Sequence, residues 1–234
     1  IDPKKIGKTA VARKYIRDIL DKRDEKGLYS WTLCMLPTQA LADRLAVRPA
    51  SVTGMVRRLA ELELVDHEPY RGVRLTELGR LVALEMLRHH RLLETYLVEH
   101  LGFTWDQVHA EAERLEHVIS EHFEARIAEV LGHPTHDPHG DPIPDDRLEM
   151  PPDRGAVSLV NAAAGTTVRV VRVLTQDPDS LGYLETLGLV LDARLDILEH
   201  VRMPPGLRVR VESRRLMLPE STARQVEVTK EFSS

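Results

Sequence analysis

The chain has 234 residues, 42% hydrophobic and 29% charged, with a net charge of -5 at neutral pH, enough for one large domain or two to three small ones with ordinary cores. No apolar run reaches the roughly 18 residues that a membrane-spanning helix needs, and the first residues lack a signal peptide's apolar stretch, so no membrane partner and a cytoplasmic location are expected. The single cysteine, Cys34, excludes an internal disulfide and the disulfide-scaffold class with it.

Residues 1–76 hold 15 Lys and Arg against 10 Asp and Glu, a basic surplus that suits a polyanionic partner. Val11, Tyr15, Ile19 and Leu20 have helical spacing and predict a helix over residues 9–24. A second begins after Pro37, with Thr38 as N-cap and Leu41, Ala42 and Leu45 as its apolar face. After a turn at Val47-Arg48, Pro49 opens a third, carried by Val52, Met55, Val56 and Leu59 to about Leu62. Residues 64–76 then read as two short strands around a turn that contains Gly72. Helix, helix, turn, helix, hairpin is the order of a winged helix-turn-helix, which presents one helix to the DNA major groove. Candidate DNA-contacting residues are Thr38, Arg48, Pro49, Ala50, Ser51, Thr53, Gly54, Arg57, Arg58 and Arg71. Ser51 and Thr53 can hydrogen-bond phosphates or base edges, small Ala50 and Gly54 allow close approach, and the arginines neutralise phosphate. A three-helix bundle with a solvated basic face is the alternative.

Residues 77–150 reverse the balance, with 16 Asp and Glu against 6 Lys and Arg, and hold nine of the 11 histidines. Leu78, Leu81, Val82, Leu84, Leu87, Leu92, Leu93 and Leu97 predict a long helix from residue 76 to about 100, ended by Gly102. Thr104 caps the next, over residues 105–131, broken at most once and stopped by Gly132-His133-Pro134. His90 and Glu94 are i and i+4 on the first of these helices, and His109, Glu113, Glu116 and His117 fall at i, i+4, i+7 and i+8 on the second. Imidazoles and carboxylates without a thiolate suit a first-row divalent ion, Mn²⁺ or Fe²⁺ rather than structural Zn²⁺. An isolated His/Glu pair is more often a solvated helix face, but six such groups on two consecutive helices favour metal. His133, His136 and His139 lie among Pro and Gly in an extended connection over residues 132–156, where exposed histidines are expected. His89, His100 and His122 are expected at the surface or an interface. Residues 151–234 are charge-neutral, with β-rich runs at 167–174 and 207–212 and a short helix near 179–187, most economically a small β-barrel.

Ser51-Val52-Thr53-Gly54-Met55-Val56, His89-His90-Arg91-Leu92-Leu93-Glu94, Val108-His109-Ala110-Glu111-Ala112-Glu113-Arg114-Leu115-Glu116-His117 and Gly140-Asp141-Pro142-Ile143-Pro144 span essentially the whole chain in that order. Together they resemble the recognition helix, dimerisation region, metal-binding helix and closing segment of the diphtheria toxin repressor family, in particular its manganese-responsive regulators. The resemblance implies a mainly α fold with small β content in three domains. These are a winged helix-turn-helix DNA-binding domain (1–76), a helical metal-binding and dimerisation domain (77–150) and an SH3-like, FeoA-like β-barrel domain (151–234). It implies two metal sites per subunit, one of His90, Glu94 and His109, the other of Glu113, Glu116 and His117. Glu113 stands where iron-responsive members have cysteine, which implies Mn²⁺, with Fe²⁺ as the alternative. Where the family completes the second site with Met or Asp on its first helix, this chain has Lys14, leaving Asp18, another group or water for that place. Of the ligands the family draws from its C-terminal domain, only Glu185 has a counterpart.

The protein so implied is no enzyme. It is a homodimeric, metal-activated transcriptional regulator, a repressor of metal-uptake genes, that binds palindromic double-stranded DNA through recognition helices about one helical turn, roughly 34 Å, apart. Its leucine-rich stretches at 81–97 and 118–130 are the expected dimer surface. A metal-dependent hydrolase and a metal-independent DNA-binding protein are the alternatives. No Ser/His/Asp grouping, phosphate-cradling glycine loop or H-E-x-x-H motif supports the first.

Overall fold

The computed structural model describes residues 48–68, 72–116 and 118–231. The helices expected over 9–24 and from Thr38, the wing-tip Arg71, Lys14, Asp18 and His117 lie outside these residues. The chain divides into two compact units between His90 and Arg91, with residues 146–149 returning to the first.

In the first unit, α1 (Pro49–Glu61) starts on a proline, whose missing N–H would have no helical partner there in any case. Val52, Val56 and Leu59 recur at helical spacing and are buried with Leu64, Val65, Val73, Val82 and Ala83. Glu63 takes a left-handed φ of 58°, and the chain turns into β1 (Val65–Glu68), which pairs antiparallel with β2 (Gly72–Leu75) in the register Val65↔Leu75 to Glu68↔Gly72. Thr76 joins this hairpin to α2 (Glu77–Leu101). Its hydroxyl donates to the Glu63 carbonyl at 2.6 Å and accepts from the Gly79 N–H at 3.0 Å, an N-cap. Gly79 has to be glycine, since a Cβ there would lie 1.9 Å from the Leu64 carbonyl oxygen.

The second unit begins part-way along α2, which ends at Gly102 with φ of 70°. The expected long helix after it is two, α3 (Trp105–Leu115) and α4 (Glu121–Val130), the latter capped by the Ser120 hydroxyl accepting from the Phe123 N–H. Leu92, Leu93, Leu97, Val108, Ala112, Ile127, Ala128 and Ile143 form the core between these helices and the following loop.

Beyond the loop, nine further elements build a sheet and its cover. They are β3 (Val157–Ser158), a single 3-10 turn, β4 (Thr167–Val173), α5 (Pro178–Leu187), β5 (Arg194–Arg202), β6 (Pro205–Val211), β7 (Arg214–Pro219), the one-turn α6 (Glu220–Ala223) and β8 (Val226–Lys230). All neighbouring strands are antiparallel, in the order β3-β8-β4-β5-β6-β7. The runs expected at 167–174 and 207–212 and the helix near 179–187 correspond to β4, β6 and α5. The sheet is open: among the described residues β3 and β7 are its edges and no ladder joins them, so the closed barrel expected from the sequence is replaced by helices plus an open sheet. Leu181 and Leu184 of α5 are fully buried with Val170, Leu195, Ile197 and Val209 of the sheet. The ladder between β4 and β8 slips at Val171, the extra residue between the pairs Val170↔Val228 and Arg172↔Glu227. Among the described residues, no helix is long and apolar enough to cross a membrane.

Candidate metal centre

The i, i+4 spacing on α2 places His90 one turn before Glu94, with both side chains buried. His109, half-buried on α3, sets its Nδ1 2.9 Å from Oε1 of Glu94. These three residues each offer a donor atom, and the atoms lie within 4.8 Å of one another. A carboxylate withdrawn from water between imidazoles is an arrangement that a divalent ion, and no apolar neighbour, would offset.

Opposite Glu94 lies the loop after α4, and here the structure departs from the sequence reading. The Pro- and Gly-rich stretch is an ordered turn rather than an exposed connection. Asp137 organises it: Oδ1 accepts from the N–H groups of His139 at 2.9 Å and Asp141 at 2.8 Å, and the Asp137 N–H donates to the Asp141 carbonyl. Trp105 of α3 clamps the loop, its Nε1 donating to the Pro138 carbonyl at 2.7 Å and its ring stacked on His139 with centroids 5.5 Å apart. His139, expected to be exposed, is 1% exposed, and His89, expected at the surface or an interface, is buried within the chain itself. Glu94, Asp137 and His139 form a second group of three donors within 4.8 Å. The only sequence signal for it was the every-second-residue spacing of Asp137, His139 and Asp141, hidden among prolines.

Arg91, on α2 between His90 and Glu94 in sequence, is buried at 2% exposure. Its Nε is 3.7 Å from Oδ2 of Asp137, its Nη2 3.9 Å from Oδ2 of Asp141, and its Nη1 donates to the Pro142 carbonyl. The bulge in β4 brings Arg172 to the same place, 3.9 Å from Asp141. Burial, and after it the nearby charge of Glu94, push the Asp137 carboxyl up to about 6, against the pull of His139 and Arg91. Burial and the Arg154 guanidinium hold His136, on the loop's outer side, down at about 4, so it adds no positive charge at neutral pH.

Of the other residues singled out as ligands, Glu113 is half-buried on α3 and Glu116 is fully buried at its C-cap. Neither belongs to a donor group among the described residues, from which His117 is missing. Glu185 is exposed on α5 and belongs to no such group either. Among the residues singled out for DNA, Arg48, Ala50, Ser51, Thr53, Gly54, Arg57 and Arg58 are exposed, opposite the buried Val52, Val56 and Leu59. Arg57 is also paired with Glu61 at 3.2 Å on the same face of α1.

Gly140 seats the loop on the sheet. Its φ is 85°, a Cβ there would lie 2.1 Å from the Val171 carbonyl oxygen, and the Val173 N–H donates to the His139 carbonyl beside it. A Gly140→Ala protein must either shift β4 or release the loop, at an expected cost of about 3 kcal/mol. Urea unfolding in EDTA measures this, and a loss below about 0.5 kcal/mol, the size of an ordinary surface change, would mean that the loop is not seated there.

Comparison with known proteins places these features in a family. A model for the N-terminal DNA-binding domain of iron-dependent repressors matches residues 9–73. A model for their metal-binding and dimerisation domain matches residues 76–145, and one for the FeoA domain matches residues 157–230. The iron-dependent repressor IdeR of Mycobacterium tuberculosis is 36% identical over 231 residues, covering 92% of this chain and 95% of that protein. The diphtheria toxin repressor of Corynebacterium diphtheriae is 33% identical over 164 residues, covering 68% and 69%. A solved manganese-dependent transcriptional repressor in complex with manganese superposes with a TM-score of 0.81 at 37% identity, covering 94% of this chain and 100% of that one.

Proposed function

The chain belongs to the family of iron-dependent repressors that includes IdeR and the diphtheria toxin repressor, and from that premise we propose that it is a DNA-binding transcriptional repressor, activated by a divalent metal and acting as a homodimer. The observation that carries the metal half is the His90–Glu94–His109 group, which lies within the matched metal-binding segment. Its donors fit a divalent ion: two imidazoles and a carboxylate, with the carboxylate and the His90 imidazole buried. When bound, the ion would supply two positive charges that tie α2 to α3. The chain's residues do the rest: Glu94 presents its oxygens, and the two histidines supply neutral nitrogen donors.

The finer reading is Mn²⁺ rather than Fe²⁺ as the activating ion. It is supported by Glu113, a hard oxygen donor, and by the manganese complex among the structural relatives. Glu113, Glu116 and His117 are proposed as a second site in each subunit. Arg48 at the N-cap of α1 and Pro49, Ala50, Ser51, Thr53, Gly54, Arg57 and Arg58 on α1, with Thr38 and Arg71, are proposed to meet a palindromic operator. The three parts 1–76, 77–150 and 151–234 are assigned to DNA contact, metal binding with dimerisation, and the FeoA-like sheet.

The test is binding of the full chain to a pool of short fragments from its own genome, at one fixed salt concentration, with Mn²⁺, with anaerobic Fe²⁺ and with EDTA. Enrichment of palindromic fragments is expected with Mn²⁺ and not with EDTA, and Glu113→Ala and His117→Ala should each lose the response while remaining folded. Equal enrichment in EDTA would end the metal-activated reading, and an unchanged response in both variants would remove the second site.

A further inference from the structure

We propose that Gly54 is a specificity-determining residue of the DNA-binding helix: its bare backbone is the point of closest approach to the major groove and takes the C5-methyl group of a thymine. The inference rests on the DNA-binding reading above and names the base group that α1 meets at its centre. Gly54 lies in the interior of α1, an unbroken helix of 13 residues, where glycine weakens a helix relative to alanine. Nothing in the fold asks for it. Gly79 and Gly140 are each required by a backbone carbonyl oxygen that a Cβ would strike, whereas a Cβ at Gly54 would meet no atom within 4 Å among the described residues. Its φ is not left-handed either. A local rule broken without a packing reason marks a functional position.

The place of Gly54 on the helix gives the independent reason. At about 3.6 residues per turn, the buried Val52, Val56 and Leu59 mark one side of α1, and Gly54 falls near the middle of the opposite side. Its neighbours one turn away on that surface are Ala50 and Ser51 before it and Arg57 and Arg58 after it, all exposed. Arg57 is turned along the helix to Glu61. Side chains at these four positions and none at Gly54 leave a shallow gap at the centre of the exposed face.

The floor of that gap is apolar. In mid-helix the backbone N–H and C=O groups are paired with one another, so Gly54 presents its Cα hydrogens, and the methyl group of Ala50 extends the same surface by one turn. Such a floor offers no hydrogen bond to a base edge, and the apolar group that the major groove displays is the thymine methyl. Ser51 and Arg58 border the gap and supply the hydrogen bonds and phosphate contacts that fix the helix in register. A Cβ at position 54 would fill the gap and hold the helix off the groove floor.

The test uses the full chain with Mn²⁺ and a fragment enriched in the selection above, remade with each thymine in turn replaced by uracil, which lacks the C5-methyl group. One thymine in each half-site should prove sensitive, its replacement weakening binding about fourfold, the value of one buried methyl group. Gly54→Ala should bind the unmodified fragment at least about tenfold more weakly and should no longer distinguish uracil at that position. Its Tm in EDTA should rise by about 2–4 °C, since alanine is the better helix former, and its Mn²⁺ affinity should be unchanged. Loss of DNA affinity in a protein that is more stable and binds metal normally is a result that a merely structural glycine would not give. Equal binding by Gly54→Ala, a fall in its Tm, or a fragment in which no thymine is sensitive would each overturn the inference and leave the wider reading standing. Failure of the unchanged chain to bind any fragment with Mn²⁺ or Fe²⁺ would instead bring down that reading, and this inference with it.

Discussion

A Glu94→Gln protein should lose about 2.7 kcal/mol of the stabilisation that Mn²⁺ gives the unchanged chain when the free ion is at about a hundred times its Kd. For a chain of this size that is a deficit of about 5–10 °C in Tm. The reason lies in the position of Glu94, 1% exposed, with one oxygen at His109 and the other facing His139. Glutamine keeps the shape and an oxygen that can accept from His109, but it removes the charge a cation needs. In EDTA the variant should be no less stable than the unchanged chain, because buried Asp137 no longer faces a second carboxylate. The Asp137 carboxyl, now raised to about 6 by burial first and by Glu94 second, should fall back towards its ordinary range. Calorimetric melts with and without Mn²⁺ measure the first effect, and an equal Mn²⁺ gain in both proteins would remove Glu94 from the metal centre.

Replacing Arg91 with methionine should cost about 3–5 kcal/mol in EDTA, the expected penalty for stranding buried charge. The Arg91 guanidinium sits between the buried Asp137 and Asp141 and also donates to the Pro142 carbonyl. Methionine fills much of the same volume and leaves both carboxylates facing each other across it. Arg91→Lys should recover little, since a single ammonium cannot reach two carboxylates and a carbonyl with the planar reach of a guanidinium. Mn²⁺ should restore part of the lost stability in Arg91→Met, because it offsets the same negative charge. Urea unfolding followed by circular dichroism reads all three values, and a cost below about 1 kcal/mol would show that Arg91 is not what holds the loop's charge.

Periodicity explains what could be read from the sequence. Val52, Val56 and Leu59 announced the buried side of α1, and the leucines of α2 fixed its length and placed His90 and Glu94 on one side. The strands were less legible because their alternation is broken. A ladder irregularity interrupts β5 between Ile197 and Glu199, and β8 buries Glu227 between Val226 and Val228. The edge strand β7 buries one residue of six. The loop from Asp137 to Asp141 has no period at all. Its prolines argued for exposure, whereas burial comes from Trp105 and β4, partners 30 or more residues away that no local pattern can report.

The seating of Gly140 against the bulge of β4 bears on how far the chain can be divided into exchangeable parts. The family models meet their boundary between residues 145 and 157, as if the sheet were an appendage to the helices. The packing places residues 91–145 and 150–234 in one compact unit, with a backbone hydrogen bond from Val173 to His139 crossing that boundary. A truncation after residue 150 would keep His90, Glu94 and His109 but strip the floor from the loop, so a shortened chain would not be the same regulator with one module fewer. Recombination between relatives is constrained in the same way: Gly140 and the strand beneath it have to be inherited together.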